Sequence, residues 1–291
     1  MIKKLLRGLA LSAGLLTTLP AQAWWDTGHM VTAQIAFEQL TPAARQEAER
    51  LIALLNPLET VPARRHFVPA AVWMDEIKAR QLKVFDHWHY INIPYNPEGV
   101  ARLPVVDDDN LITALQSLGK TLASERAGDF EKAFALRMVL HLVGDIHQPF
   151  HAVGKVSHAH PEGDLGGNLT LVSGLEGMRN IHMLWDSTAG LLPSVRSEAW
   201  PGPIPDFAAR LRQQYPLNSF QHSMAFDPEV WARESYQLAV RYGYSSLPAD
   251  GQLSPDYLRQ VQSICSQQLA LGGYRLAALL NEVLVQPPAR P

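Results

Sequence analysis

A chain of 291 residues, 47% hydrophobic and 18% charged, has material for one large domain or two small ones with a proper core. Its 25 basic and 28 acidic residues give a formal net charge of −3, which excludes a protein that holds nucleic acid through a strongly basic surface alone. The single cysteine, Cys265, excludes an intramolecular disulfide, so stability must come from the core or from bound metal.

Residues 1–23 open with Lys3, Lys4 and Arg7, run on as LALSAGLLTTL and end Ala21-Gln22-Ala23. A basic start, a short apolar run and a small-x-small ending describe a secretory signal cleaved after Ala23, with Trp24 as the new N-terminus. The alternative, an uncleaved membrane anchor, is opposed by that ending and by the shortness of the run. No later apolar stretch is long enough to span a bilayer, so the reading is an exported, soluble protein, periplasmic or secreted. Without the signal's three positive charges, the formal net charge becomes −6.

The mature chain, residues 24–291, reads as one mainly α domain with few strand candidates. Thr41-Pro42 supplies an N-cap and a proline at the first helical position for PAARQEAERLIALL. VPAAVWMDEIKAR carries apolar residues at helical spacing. DDDNLITALQSLGKTLASER starts with acids suited to a helix N-terminus. DFEKAFALRMVLHLVGDIHQ is a long apolar helix stopped near Pro149. DPEVWARESYQLAVRYGY and SPDYLRQ…NEVL add two further helices, the second holding Cys265 as a buried small hydrophobe. HWHYINI and NLTLVSG are the strand-like segments, allowing a small β-hairpin or isolated short strands.

Within the apolar HLVGDIHQPFH, His141 and Asp145 are four residues apart, about 40° around a helix, and so share a face. His151 lies beyond Pro149 and can turn back toward them. HMLWD repeats the spacing with His182 and Asp186. One such pair arises readily by chance, as a solvated or core-satisfied pair. A carboxylate inside so apolar a run, however, is costly to bury without a cation or a hydrogen-bonding partner. Imidazole and carboxylate together suit zinc, and two pairs point to a multi-metal site. Asp75 in AAVWMDEIK poses the same problem. In FDHWHYINIP a strand's alternation sets Asp86, Trp88 and Tyr90 on one side and His87, His89 and Ile91 on the other, leaving either histidine a candidate ligand. His147, rotated about 240° from His141, is read as structural, as are His66, His87, His158, His160 and His222.

The order Trp24…His29, Trp73-Met-Asp75, His89-Tyr-Ile-Asn92, His141-x3-Asp145-x5-His151, Gly-Gly-Asn168 and His182-x3-Asp186 resembles the zinc-dependent single-strand-specific nuclease family, best known from the fungal S-one and P-one nucleases. The matching motifs run from Trp24 to about residue 186. The resemblance implies a helical fold shared with zinc-dependent phospholipase C and three zinc ions. Trp24, through its α-amine and carbonyl oxygen, His29 and Asp145 would hold one. Asp75, His89, His141 and the bridging Asp145 would hold its neighbour, and His151, His182 and Asp186 the third.

It further implies phosphate contacts from Lys78 and Asn168, with Asp164 orienting the loop of Asn168, and base contacts from Tyr90 and Asn92. The expected reaction is in-line hydrolysis of single-stranded DNA and RNA to 5′-phosphate products, together with 3′-nucleotidase activity, by a monomer without stable membrane association. Tyr90 and Asn92 stand where the fungal pattern has phenylalanine and aspartate. Two alternatives predict different residues. A zinc-dependent phospholipase C would typically have glutamate in place of Asp186 and no Gly-Gly-Asn. A non-catalytic zinc-binding protein would have no use for a phosphate-facing Lys78.

Overall fold

The computed structural model describes residues 24–284. Its helices in chain order are α1 (Asp26–Gln39), α2 (Pro42–Leu54), α3 (Phe67–Ala70), α4 (Trp73–Ala79), α5 (Leu111–Ala123), α6 (Asp129–Ile146), α7 (Ile181–Asp186), α8 (Pro203–Gln214), α9 (Pro228–Leu238) and α10 (Pro255–Val283). Two short strands, β1 (Ile93–Tyr95) and β2 (Val153–Lys155), pair in parallel with Ile93 opposite Val153. The mainly α expectation holds, but the strands make no hairpin.

The helix starts follow from local chemistry. Thr41 Oγ1 accepts from Ala44 N ahead of Pro42, as its sequence predicts. Asn110 and Thr113 close a reciprocal capping box on α5, so the three preceding aspartates fall in the loop before the helix, not in its first turn. VPAAVWMDEIKAR divides into α3 and α4 across Ala71-Val72. HWHYINI is a 3-10 turn at Asp86–His89 that leads into β1, so it buries His89 and exposes His87 in place of strand alternation. NLTLVSG forms no strand: within it Leu171 and Ser173 make only isolated bridges, to Asn180 and Gln252. α9 runs on into a π-helical turn, Ala239–Tyr244.

Burial decides the layering. α1 is buried continuously from Thr27 to Ala36, and thirteen of the eighteen residues of α6 are buried, so neither helix has a solvent stripe. α1 lies between α10 and α8, while α6 is covered by α2, α4 and α5. Glycine permits the closest crossings: a Cβ on Gly273 would meet Ile35 Cβ at 2.6 Å, and one on Gly144 would meet His29 Nδ1 at 2.7 Å. The second crossing brings α1 and α6 together at their histidines. Cys265 is buried as expected.

Candidate metal centre

His141 and Asp145 share the inward face of α6, as their spacing requires, and both are fully buried. His29 reaches them from α1, its ring stacked on His141 with centroids 3.9 Å apart. Asp145 stands between two clusters: Oδ1 is 3.4 Å from His29 Nε2, while Oδ2 is 3.1 Å from His89 Nδ1 and 3.4 Å from His141 Nε2. Asp75, from the first turn of α4, completes the second cluster at 3.8 Å from His89. A third cluster joins His151, just past the end of α6, to His182 and Asp186 on α7, with His182 Nε2 3.4 Å from Asp186 Oδ2.

Three sets of ligand atoms thus converge within 4.8 Å: His29, His141 and Asp145; Asp75, His89 and His141; and His151, His182 and Asp186. The backbone fixes the tautomers. His141 Nδ1 donates to Ala71 O at 2.7 Å, His151 Nδ1 to His89 O at 2.6 Å and His182 Nδ1 to Gly166 O at 2.6 Å. Each Nε2 lone pair is left pointing into the cluster.

The electrostatics describe a site built for cations. Burial, reinforced by neighbouring imidazoles, holds His29, His89 and His151 well below the ordinary histidine range. Burial likewise lowers His141 to about 3 and His182 to about 4. Burial raises Asp75 from 3.8 to about 7 and drives Asp145 and Asp186 well up, with nearby carboxylates adding to the rise. Buried and without hydrogen-bond partners are both nitrogens of His29, both oxygens of Asp75, Oδ1 of Asp145, and Nε2 of His151 and His182. Buried polar atoms rarely go unpaired, and here they are nitrogen and carboxylate donors facing one another. The donor set therefore fits zinc.

Comparison with known proteins bears on the same residues. The family description S1/P1 Nuclease matches residues 24–285. The chain belongs to the S1/P1 nuclease family. Its relatives include "Endonuclease 4" of Arabidopsis thaliana, 27% identical over 92% of this chain and 91% of the relative. "Nuclease S1" of Aspergillus oryzae is 24% identical over 91% of this chain and 93% of its own. "Nuclease P1" of Penicillium citrinum is 23% identical over 89% and 97%, respectively.

The remaining residues singled out through the S1/P1 resemblance fall around these clusters. Trp24 is fully buried, and its Nε1 donates to Gly144 O at 2.8 Å. The signal segment and its cleavage point lie outside the described residues. Lys78 follows Asp75 on α4, and its charge lowers the pKa of Asp75, Asp145 and Asp186. Tyr90 is half-buried beside His87 and Asn92 is exposed. Asn168 donates Nδ2 to Leu165 O at 2.8 Å within its own loop. Asp164 anchors that loop: wholly buried, it accepts from Lys155 N, Gly167 N, Thr170 Oγ1 and Tyr244 OH.

His147 is structural, donating Nδ1 to Val143 O and accepting from Arg275 at 3.1 Å on its other side. Gln148 was not anticipated: fully buried, it donates to Asp186 Oδ1. Only its place between His147 and Pro149, next to the candidate ligands, could have flagged it. The tyrosine hydroxyl of the π-helical turn, reaching Asp164 across eighty residues, carried no sequence signal.

Proposed function

We propose that the protein is a zinc-dependent endonuclease that hydrolyses phosphodiester bonds of single-stranded DNA and RNA to 5′-phosphate products, with accompanying 3′-nucleotidase activity. The observation that carries this reading is the set of three buried His/Asp clusters with unpaired donor atoms. Membership of a family whose relatives are named nucleases and endonucleases supports it further. No relative by name favours the phospholipase reading.

Three zinc ions are assigned. Trp24, through its terminal amine and carbonyl oxygen, would join His29 and Asp145 on the first. Asp75, His89, His141 and Asp145 would hold the second, and His151, His182 and Asp186 the third. Bound zinc supplies Lewis acidity, lowering the pKa of coordinated water toward neutrality and drawing charge from the phosphoryl oxygens.

The chain's own residues set up the rest. Lys78 keeps a cation beside the carboxylates to receive the phosphate. Asp75, both of its oxygens free of hydrogen bonds, holds the attacking water's proton at one of them. Asn168 presents its amide to a phosphate oxygen. Tyr90 offers a ring face to a base, and the exposed Asn92 amide offers both a donor and an acceptor to its edge. Residues 24–291 form the single catalytic domain, exported after cleavage between Ala23 and Trp24 and acting as a monomer. Among the described residues no helix is long and apolar enough to cross a membrane.

The test is digestion of single-stranded DNA and RNA by processed protein, before chelation, after chelation, and after zinc is restored. Zinc-restorable cleavage leaving 5′-phosphates is expected. Absence of cleavage by fully zinc-loaded protein overturns the reading.

A further inference from the structure

The donors that converge on Asp164 divide by oxygen. Oδ1 accepts from two backbone amides, Lys155 N at 2.9 Å and Gly167 N at 3.0 Å. Oδ2 accepts from two side-chain hydroxyls, Thr170 Oγ1 at 2.7 Å and Tyr244 at 2.9 Å, and the tyrosine also stands 3.0 Å from Oδ1. The Oδ1 side thus holds the Gly166-Gly167 stretch, where Gly166 O receives His182 Nδ1. The Oδ2 side holds Thr170, two residues from Asn168, and so the end of the loop that carries the amide.

Tyr244 comes from eighty residues away, and its surroundings give the hydroxyl one position. It closes the π-helical turn Ala239–Tyr244, a form that is rare and concentrates at functional sites. One extra residue in a turn swings the side chains after it by about 100° from where an α-helix would carry them. Gly243 lets the turn close on Phe150, since a Cβ there would meet Phe150 Cζ at 2.6 Å, and Tyr257 donates to Gly243 O at 2.9 Å. Tyr95 stacks on the Tyr244 ring with centroids 5.6 Å apart, and Lys155 Nζ lies 5.2 Å from that ring's centroid. Burial beside Asp164 carries the hydroxyl well above the ordinary tyrosine range, so it stays a donor. Phenylalanine would fill the same space with no polar group to satisfy; what the hydroxyl adds is its hold on the loop.

We propose that Tyr244 is a positioning residue for the hydrolysis: through Asp164 its hydroxyl sets the Asn168 amide at the phosphate. The inference rests on the nuclease reading, and it gives the chain beyond the last matching motif a part in the reaction.

The experiment measures kcat, KM and bound zinc on a single strand with one cleavable phosphate. The proteins are the zinc-loaded parent, Tyr244→Phe, Thr170→Val, Asn168→Ala, and Asn168→Ala combined with each of the other two. Tyr244→Phe should lower kcat about tenfold with KM and zinc content unchanged, because a displaced amide loses a contact that counts in the transition state. Asn168→Ala should lower kcat about 100-fold. Adding Tyr244→Phe to it should then change kcat by less than about twofold, since the amide that the hydroxyl serves is gone. Thr170→Val, which removes the other hydroxyl on Oδ2, should show the same pattern. Losses that multiply in the double variants overturn the proposal, as does an unchanged kcat in Tyr244→Phe. A fall in zinc content alongside kcat also overturns it, by placing the effect on His182. Failure of the unsubstituted protein to cleave the strand instead overturns the nuclease reading.

Discussion

Gln148 donates its side-chain amide to Asp186 Oδ1 at 2.5 Å, while its own carbonyl oxygen accepts from Phe150 N at 2.6 Å. The backbone contact fixes which end of the amide faces the carboxylate, leaving Asp186 Oδ2 to the His182 side. Replacing Gln148 with glutamate keeps the shape but sets a second carboxylate against Asp186. Zinc affinity should fall about 10- to 100-fold, read by competition with a chelating dye. Unaltered zinc retention would show that Asp186 needs no such orientation.

A methyl group at Gly144 should displace His29, a proposed ligand, without touching its chemistry. The added Cβ would meet His29 Nδ1 at 2.7 Å, and the stacked His141 ring blocks the imidazole's retreat. Gly144→Ala is expected to cost about 2 kcal/mol in denaturant unfolding and to lower the zinc content of the purified protein. Normal zinc content would mean that α1 and α6 can separate at this crossing.

Asp26, at the start of α1, is raised from 3.8 to about 6, chiefly by burial and next by the Asp75 charge. With the folded pKa above the unfolded one, its favourable contribution is complete below pH 3.8 and is lost as pH rises through about 6. In the chelated protein, Asp26→Asn should therefore be more stable than its parent by about 2 kcal/mol at neutral pH. The advantage should vanish near pH 4. Urea unfolding across this range reads both, and an advantage independent of pH would contradict the assignment.

Trp24 is fully buried, with its indole on Gly144. If its amine is a zinc ligand, one extra residue ahead of it should sharply reduce both bound zinc and activity, although the fold as seen by circular dichroism persists. Equal zinc content and activity in such an extended protein would remove Trp24 from the ligand set.

Gln81 closes α4 with φ +71, its N–H on Lys78 O and the next amide, Leu82 N, on Ile77 O. This is a Schellman ending, a position that favours glycine. Gln81→Gly should stabilise by about 1 kcal/mol, measured by thermal unfolding, without loss of zinc. Destabilisation would show that the glutamine side chain contributes to the cap.

The candidate ligands were easier to read from the sequence than the scaffold around them. His141, Asp145, His182 and Asp186 were legible because an i, i+4 pair in an apolar run has a physical cost that a metal relieves. Asp75, His89 and His151 were candidates on local grounds as well, but only the resemblance picked His89 over His87 and added Trp24 and His29 to an ordered set. The helix that carries His29 was not among the segments read as helical, since α1 is buried on every side and gives no amphipathic period. α8 was missed as well, its start being crowded with Pro201, Pro203 and Pro205. β2 is three residues long and pairs with a partner some sixty residues away, which no local pattern announces. NLTLVSG looked like a strand because Leu169 and Leu171 alternate with polar residues, yet both leucines face solvent.

From Ala135 to Ile146 α6 has no position open to change, since every residue there is buried and His141 and Asp145 leave from its inward face. Tyr90, Asn92 and Asn168 lie instead on connecting segments outside the helices. The frame that would hold metal and the edge that would meet a strand are therefore separable inventions. A designer seeking a different sequence preference can randomise that edge and leave the helices alone. Variants that fail such a screen should fail in recognition far more often than in assembly.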